Sequence, residues 1–362
     1  MNTIVRLKQM YRLASQLLSK NQVAIIGGYH GVNLGDMALG YSVLELLKIR
    51  GIKACLQTIY TLDKYPWPLT KYAIVGGGAV GYNSSLVKVV NRYKGNYNKV
   101  SMLGVDYNEP SYDEDIKTLI KNASWLSCRN ENQALFLESL INSKNVLYHP
   151  DLAFSYKRKF CEARRASEKK RVLLINVVPL YGDIFEGELR PSDNYKNERP
   201  ELFNNYKEMI NNYYNGVREI AKKAIDDGYV VESIPFTPGD EAMGKIILKG
   251  LKVTHNKYSD SPEKMLTKMG NAEKVFATRY HATIFAFKVG ANVIPMAYAK
   301  KNEYLLNELG FNRDQYISST DLANGKKLIN TPVKVDEQII SKWELNCYNV
   351  INNSIDSLLK NN

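Results

Sequence analysis

The run 275–286, V-F-A-T-R-Y-H-A-T-I-F-A, places an arginine and a histidine two residues apart between an apolar strand and the apolar turn of a helix. In an α/β protein such a junction lies at the carboxyl edge of the sheet, where ligands bind. There Arg279 can clamp an anion through two parallel hydrogen bonds, and His281 can carry a proton near neutral pH. The bland alternative is that Arg279 pairs with a carboxylate of its own chain and His281 packs under the helix.

A second chemical stretch follows the apolar strand Val23 to Ile26: Gly27-Gly28-Tyr29-His30-Gly31-Val32-Asn33-Leu34-Gly35-Asp36. Glycines at 27, 28, 31 and 35 let the backbone turn tightly and approach a ligand, and amides at the following helix start can hold an anion. Asp36 could instead be the helix N-cap. The spacing is not G-x-G-x-x-G, so a dinucleotide site is not expected. Gly76-Gly77-Gly78 ends a strand from Tyr72, and three glycines there suggest backbone packed against a ligand or a neighbouring loop. Arg129, in Ser127-Cys128-Arg129-Asn130, occupies the same kind of strand-to-helix junction as Arg279, with a surface salt bridge as its plain alternative.

The elements that must position these residues alternate strand and helix from Asn21 onward. Strands are predicted near 54–60, 72–75, 100–105, 125–128, 146–148, 172–178, 229–234, 251–254, 275–277 and 293–297. Helices are expected over 37–50, 131–140, 206–227, 242–249 and 262–269. That order implies two open parallel sheets flanked by helices. The predicted organisation is a basic amphipathic helix over 1–20, a Rossmann-like domain over 21–156, a basic linker over 157–171, a second Rossmann-like domain over 172–332, and a C-terminal helix over 333–362 packing on the body. The polar stretch 186–204 is too long for an ordinary connection and reads as a lid or a disordered insertion, a candidate acceptor loop.

Composition limits the functions available. The 362 residues are 44% hydrophobic and 24% charged with a net charge of +12, so a soluble fold with acidic partners is expected. Nucleic acid is not expected, because no RNP-like motif, zinc-finger spacing or base-reading helix is present. Cys55, Cys128, Cys161 and Cys347 are scattered without a C-x-x-C pair, which points to a reducing compartment. His30, His149, His255 and His281 form no metal-binding pattern, and no metal or cofactor is expected. The first twenty residues hold Arg6, Lys8, Arg12 and Lys20 and no acidic residue, with Leu7, Met10, Tyr11, Ala14, Leu17 and Leu18 at helical spacing. Two readings are open: peripheral contact with an anionic membrane surface, or packing of the apolar face on the helix's own domain.

The loop Gly28 to Asp36, Gly76-Gly77-Gly78, Ser127-x-Arg129, Pro150-Asp151-x-Ala153-Phe154, Arg279-x-His281-Ala282-x-Ile284-Phe285-Ala286 and Ile294-Pro295-x-x-Tyr298-x-Lys300, followed by Leu309-Gly310, together resemble the polysaccharide pyruvyl transferase family over roughly 21–312. Relative to that pattern Tyr29-His30 looks inserted. The resemblance implies two sheets facing a cleft, as in GT-B glycosyltransferases. It also implies transfer of pyruvate from phosphoenolpyruvate to two hydroxyls of a sugar in a bacterial surface polysaccharide or its lipid-linked precursor, in the cytoplasm. On that basis Arg129, Arg279, Lys300, Gly77 and Gly78 are expected to hold the donor and His281 and Asp36 to move or orient protons. Asn33, His30 and Tyr181 are expected to contact the acceptor. The rival readings are a GT-B glycosyltransferase using a nucleotide sugar, with Glu303 holding the ribose, and a non-catalytic glycan-binding member of the fold.

Overall fold

The computed structural model describes residues 7, 10, 11, 13–16, 19–107, 109–143 and 146–360. The chain forms two compact units, Met1–Lys157 with Lys342–Asn362, and Arg158–Ser341. In the first unit, strands β1 (Val23–Gly27), β2 (Ala54–Thr58), β3 (Tyr72–Gly81), β4 (Val100–Tyr107), β5 (Trp125–Cys128) and β6 (Leu147–Tyr148) form one sheet in the order β2-β1-β3-β4-β5-β6. Every pairing is parallel, as at Val23 opposite both Ala54 and Tyr72. Parallel strands need long crossovers, and the helices Leu34–Ile49, Asn83–Tyr93, Glu114–Asn122 and Glu131–Ile141 supply them. Because helices cover the sheet, β1 is apolar throughout and buried at all its positions, with Ile26, Val75, Val89, Val105 and Leu119 in one core.

The second unit repeats the plan. Strands β7 (Lys170–Asn176), β8 (Gly182–Phe185), β9 (Glu188–Pro191), β10 (Val230–Ser233), β11 (Thr254–His255), β12 (Ala272–Ala277), β13 (Asn292–Ala297) and β14 (Ile317–Ser318) follow in sequence. Six of them form a parallel sheet, β11-β10-β7-β12-β13-β14, while β8 and β9 pair antiparallel. In both sheets the first strand in sequence sits inside, with the chain building outward on one side before returning to the other. That reversal falls between β1 and β3 in the first sheet and between β7 and β12 in the second, and the carboxyl ends of strands at such a point are where open α/β sheets bind ligands.

Three expectations need correction. The glycines 76–78 do not form a loop after β3, because the strand continues through them to Gly81 and pairs with β4. The stretch 186–204 is not a disordered insertion. Glu186 and Gly187, both at positive φ, turn a tight hairpin whose Ile184 and Leu189 pair and pack on the second core, and short helices Asp193–Glu198 and Pro200–Phe203 follow. The basic segment 157–171 does not read out as a solvated linker. It forms the helix Arg158–Arg165 and the start of β7 within the second unit.

The cations of that segment serve helix ends. Lys169 Nζ donates to the carbonyls of Arg164, Gly270 and Val289 at 2.7, 2.8 and 2.7 Å. These close the carboxyl ends of the helices Arg158–Arg165, Pro262–Gly270 and Tyr280–Lys288, where a cation is favoured. Arg165 Nη1 adds a bond to the carbonyl of Lys288 at 2.7 Å.

The final helix, Glu337–Lys360, returns from Lys342 onward to the first unit. Cys347, Ile351, Ile355 and Leu358 form its buried stripe, Ser354 bonds Ser101 hydroxyl to hydroxyl at 2.6 Å, and Trp343 meets the Phe154 ring edge-on at 5.1 Å. Of the expected N-terminal helix over 1–20, residues 7, 10, 11 and 13–16 are helical, and 1–6, 8, 9, 12, 17 and 18 lie outside the described residues. No helix among the described residues is long and apolar enough to cross a membrane.

Replacing Lys169 with methionine should leave three helix-terminal carbonyls without their shared donor and destabilise the protein by roughly 2 kcal/mol. Urea unfolding measures this, and a loss under about 0.5 kcal/mol would mean that water replaces the ammonium.

Candidate active site

The sequence-predicted residues fall into two sets, one at the sheet reversal of each unit. In the first, Asn33 caps the helix Leu34–Ile49, its side-chain oxygen accepting from Gly35 N at 3.0 Å. Asp36 is therefore not the cap, and Asn33 has already committed its oxygen. The Asp36 carboxylate instead lies between the ends of β1 and β3. A Cβ on Gly28 would stand 3.4 Å from its Oδ2, and one on Gly78 would stand 4.0 Å from its Oδ1. The Tyr60 hydroxyl bounds the same space, 3.6 Å from that Gly28 position. Burial first, then the Asp36 charge, pushes the Tyr60 phenol above its ordinary range, so it is a neutral donor at pH 7.

His30 joins this group. Its Nδ1 lies 2.8 Å from the Gly28 carbonyl, which can only accept, so Nδ1 is the donor and Nε2 is turned to other partners. The ring meets Tyr60 edge-on at 5.4 Å. Tyr29 has a different role: it fills space that Gly27, Gly40 and Gly77 leave open, and its hydroxyl donates to the Gly76 carbonyl. A Cβ on Gly27 or Gly40 would approach the Tyr29 ring to 2.6 or 2.9 Å, and one on Gly76 would meet the Leu103 carbonyl at 1.9 Å. Gly77 likewise faces Leu39 at 2.7 Å. Packing within the chain thus accounts for glycine at 27, 76 and 77, whereas an alanine would fit at Gly28.

Arg129 is held by two carboxylates. Its Nε donates to Asp106 at 2.7 Å, Nη2 bonds the other oxygen of the same carboxylate, and Nη1 donates to Asp151 at 2.5 Å. With 6% of its side chain exposed, this is a buried ion network rather than a surface pair. Beside it His149 donates from Nδ1 to the Pro150 carbonyl at 2.7 Å and accepts at Nε2 from Ser127 Oγ at 3.1 Å. Burial pushes the imidazole down to about 4, with Arg129 adding to the effect. The Ser127-x-Arg129 and His149-Pro150-Asp151 stretches, separate in sequence, are therefore one bonded structure.

In the second unit Asn176, fully buried at the end of β7, ties three strands together. Its Oδ1 accepts from Arg279 N at 2.9 Å, and its Nδ2 donates to the Ile234 carbonyl at 3.1 Å. Thr278 is fixed by Tyr213 at 3.0 Å, and its carbonyl by Asn302 at 3.1 Å. Arg279 Nε donates to both Asp240 oxygens, at 2.9 and 2.7 Å, and Nη2 reaches Asp240 at 2.7 Å and Thr237 Oγ1 at 3.0 Å. The alternative that Arg279 pairs with a carboxylate is thus realised, yet 22% of its side chain stays exposed while Asp240 is enclosed. Asp240 also accepts from the amides of Phe236 and Thr237, at 3.0 and 3.1 Å, within a capping box that starts the helix Pro238–Ile247.

His281 lies in the first turn of the helix Tyr280–Lys288, buried, its ring edge-on to Tyr280 at 5.2 Å. Lys300 opens the next helix, Lys300–Glu308, exposed beside Glu201, whose carboxyl Arg199 chiefly and Lys300 in part hold low. Lys301 Nζ lies 5.5 Å from the Tyr280 ring centroid and 5.8 Å from that of Tyr298. Tyr181, at φ 50°, donates to the Tyr298 carbonyl and accepts from Arg199 Nη1 at 3.3 Å, and burial pushes its phenol up to about 12. The structure therefore gathers Arg279, His281, Tyr181 and Lys300 along the ends of β7, β12 and β13. Sequence reasoning missed Asp240, Thr237, Asn176, Asp106 and Tyr60. Only Thr237-Pro238-Gly239-Asp240, a recognisable helix start, carried a readable signal. Among the described residues no cluster of acidic, histidine or cysteine side chains could hold a metal ion.

A family profile described as polysaccharide pyruvyl transferase matches residues 33–300, most of the chain. No curated protein sequence matches significantly. Similar solved structures include a functionally uncharacterised protein, KP1_0663, from Klebsiella pneumoniae (15% identity, covering 88% of this chain and 99% of that one, TM-score 0.44). The UDP-GlcNAc 2-epimerase of Methanocaldococcus jannaschii is 11% identical over 89% of this chain and 97% of that one, with a TM-score of 0.47. The Escherichia coli heptosyltransferase WaaC is 11% identical over 84% and 97%, with a TM-score of 0.37.

The buried His149 makes stability depend on pH. An unfolded chain takes up a proton near the ordinary 6.5, whereas the folded imidazole does so only at about 4, so the unfolded state binds more protons between those values. The contribution is complete above pH 6.5 and is lost on acidification towards pH 4, by up to ~3 kcal/mol. Urea unfolding at several pH values should show a shallower acid slope for His149→Gln than for the wild type. Parallel slopes would reject this origin.

Proposed function

The chain belongs to the polysaccharide pyruvyl transferase family, and from that premise we propose that it transfers pyruvate from phosphoenolpyruvate to two hydroxyls of one sugar, in a surface polysaccharide or its lipid-linked precursor. The observation that carries the reading is the Arg279 guanidinium, held by the enclosed Asp240 carboxylate at the second sheet's reversal, with His281 two residues further in the first helical turn. The donor has a carboxylate and a phosphate. A planar guanidinium whose orientation is already set loses little freedom on gripping either one.

Local charge supports a division of labour. Beside the helix that follows Arg279 the second unit places Lys301 near the Tyr280 and Tyr298 rings, and Arg199 bridges Tyr181 and Glu201, cations that suit an anionic donor. In the first unit Arg129 is enclosed by Asp106 and Asp151, and the Asp36 carboxylate lies with Tyr60 and His30 beside Gly28. A neutral diol suits that environment better, with Asp36, Tyr60 and His30 as its hydrogen-bonding partners. Arg129 then orders the first unit and is not a donor clamp, and Gly77 serves Tyr29 and Leu39.

The chemistry follows with protons balanced. His281 in its charged form protonates the methylene carbon of phosphoenolpyruvate, leaving an oxocarbenium-like centre at the neighbouring carbon. One sugar hydroxyl bonds to that carbon and gives up its proton. The carbon–oxygen bond to phosphate breaks, Lys300 offsetting the charge that leaves, and the second hydroxyl closes the ketal. Of the two hydroxyl protons one restores the histidine and the other departs on the phosphate.

Calorimetry with phosphoenolpyruvate should show binding to the wild-type protein, weakened at least ~10-fold in Arg279→Lys, where a point charge replaces the fork. Asp240→Asn should weaken it similarly by releasing the guanidinium. Wild-type affinity in both variants, or no binding by the wild type, would refute the donor assignment. His281→Ala should keep donor affinity within a few-fold yet lose about 10²-fold or more of phosphate release on an acceptor that supports turnover. Undiminished release would remove His281 from the chemistry.

A further inference from the structure

The two sides of the N-terminal helix are occupied differently. Leu13 packs against the core of the first unit, and Gln16, 8% exposed, donates its Nε2 to the Leu56 carbonyl at 2.7 Å. Leu7, Met10 and Tyr11 are 61%, 59% and 79% exposed, and Ala14 is exposed as well. Spaced at i, i+3, i+4 and i+7, these four form one stripe on the side away from Leu13 and Gln16. The expectation that the apolar face packs on its own domain therefore fails for these residues: the apolar stripe faces outward.

Such a stripe needs a cover, and charge indicates which. Arg6, Lys8 and Arg12 are interleaved with it in the sequence, Lys20 follows, and 1–20 contains no acidic residue. A second copy of the chain would bring two like-charged segments together with no carboxylate in either to offset them. An anionic bilayer supplies both an apolar phase for leucine, methionine and tyrosine and surface anions for arginine and lysine. The net charge of +12 adds attraction at longer range.

We propose that the outward stripe of Leu7, Met10, Tyr11 and Ala14, with its interleaved basic residues, docks the protein on the surface of an anionic phospholipid bilayer. This stands whether or not phosphoenolpyruvate is the donor. Flotation of the full chain with vesicles of phosphatidylcholine alone, or with about 30% phosphatidylglycerol, tests it. The wild type should be recovered with anionic vesicles at least ~10-fold over neutral ones, with recovery falling as salt is raised. The double variant Leu7→Glu/Tyr11→Glu and the triple variant Arg6→Gln/Lys8→Gln/Arg12→Gln should each lose about 10-fold while unfolding at the wild-type temperature. Recovery with neither vesicle, equal recovery with both, or unchanged binding by the double variant would overturn the proposal. So would a wild-type dimer in light scattering that Leu7→Glu/Tyr11→Glu converts to a monomer.

Discussion

A charge taken out of water must be matched, and this requirement shapes both sheet edges. Asp240 is enclosed in the second unit, where a carboxylate needs partners, and it has Arg279, two backbone amides and the Thr237 hydroxyl. The same carboxylate starts a helix and sets a guanidinium. Local folding and site geometry therefore depend on a single side chain. In the first unit the requirement is met differently: Arg129 joins Asp106 on β4 to Asp151 beyond β6, bringing together strand ends that the sheet alone leaves apart. Arginine at equivalent junctions is thus enclosed at one edge and partly exposed at the other.

Much of the architecture was legible because parallel strands buried on both faces must be apolar runs. Val23 to Ile26, Trp125–Cys128 and Asn292–Ala297 stand out against polar connections for that reason. Short edge strands such as β14, two residues long, have no such signature. The hairpin β8–β9 was hidden because only Ile184 and Leu189 face the core while charged residues alternate with them. At the site, Arg279 and His281 stood out by type and spacing. Their partners did not, since Asp240 lies 39 residues away from Arg279 and only the fold brings them together.

The glycine-rich stretches show why composition alone misleads. Clustered glycines suggest backbone laid against a ligand, yet at 27, 76 and 77 the neighbour is another part of the chain, with Tyr29 filling the space two of them leave. The aromatic residue that looked inserted explains part of the glycine pattern. Gly28 is the exception, because a side chain there would meet only ordinary contacts at Asp36 and Tyr60. The ligand-facing character of this loop thus rests on Gly28, His30 and Asp36, a narrower set than the motif suggests.

The return of the last helix to the first unit makes the second an insertion within it. Synthesis proceeds from the amino end, so Ser101 emerges from the ribosome 253 residues before Ser354, and Phe154 likewise long before Trp343, the later residues covering the earlier. The first unit to be made is thus the last to be completed. Until the final helix arrives, the nascent chain carries an uncovered apolar seam, and a message truncated before that helix yields a first sheet without its closing layer.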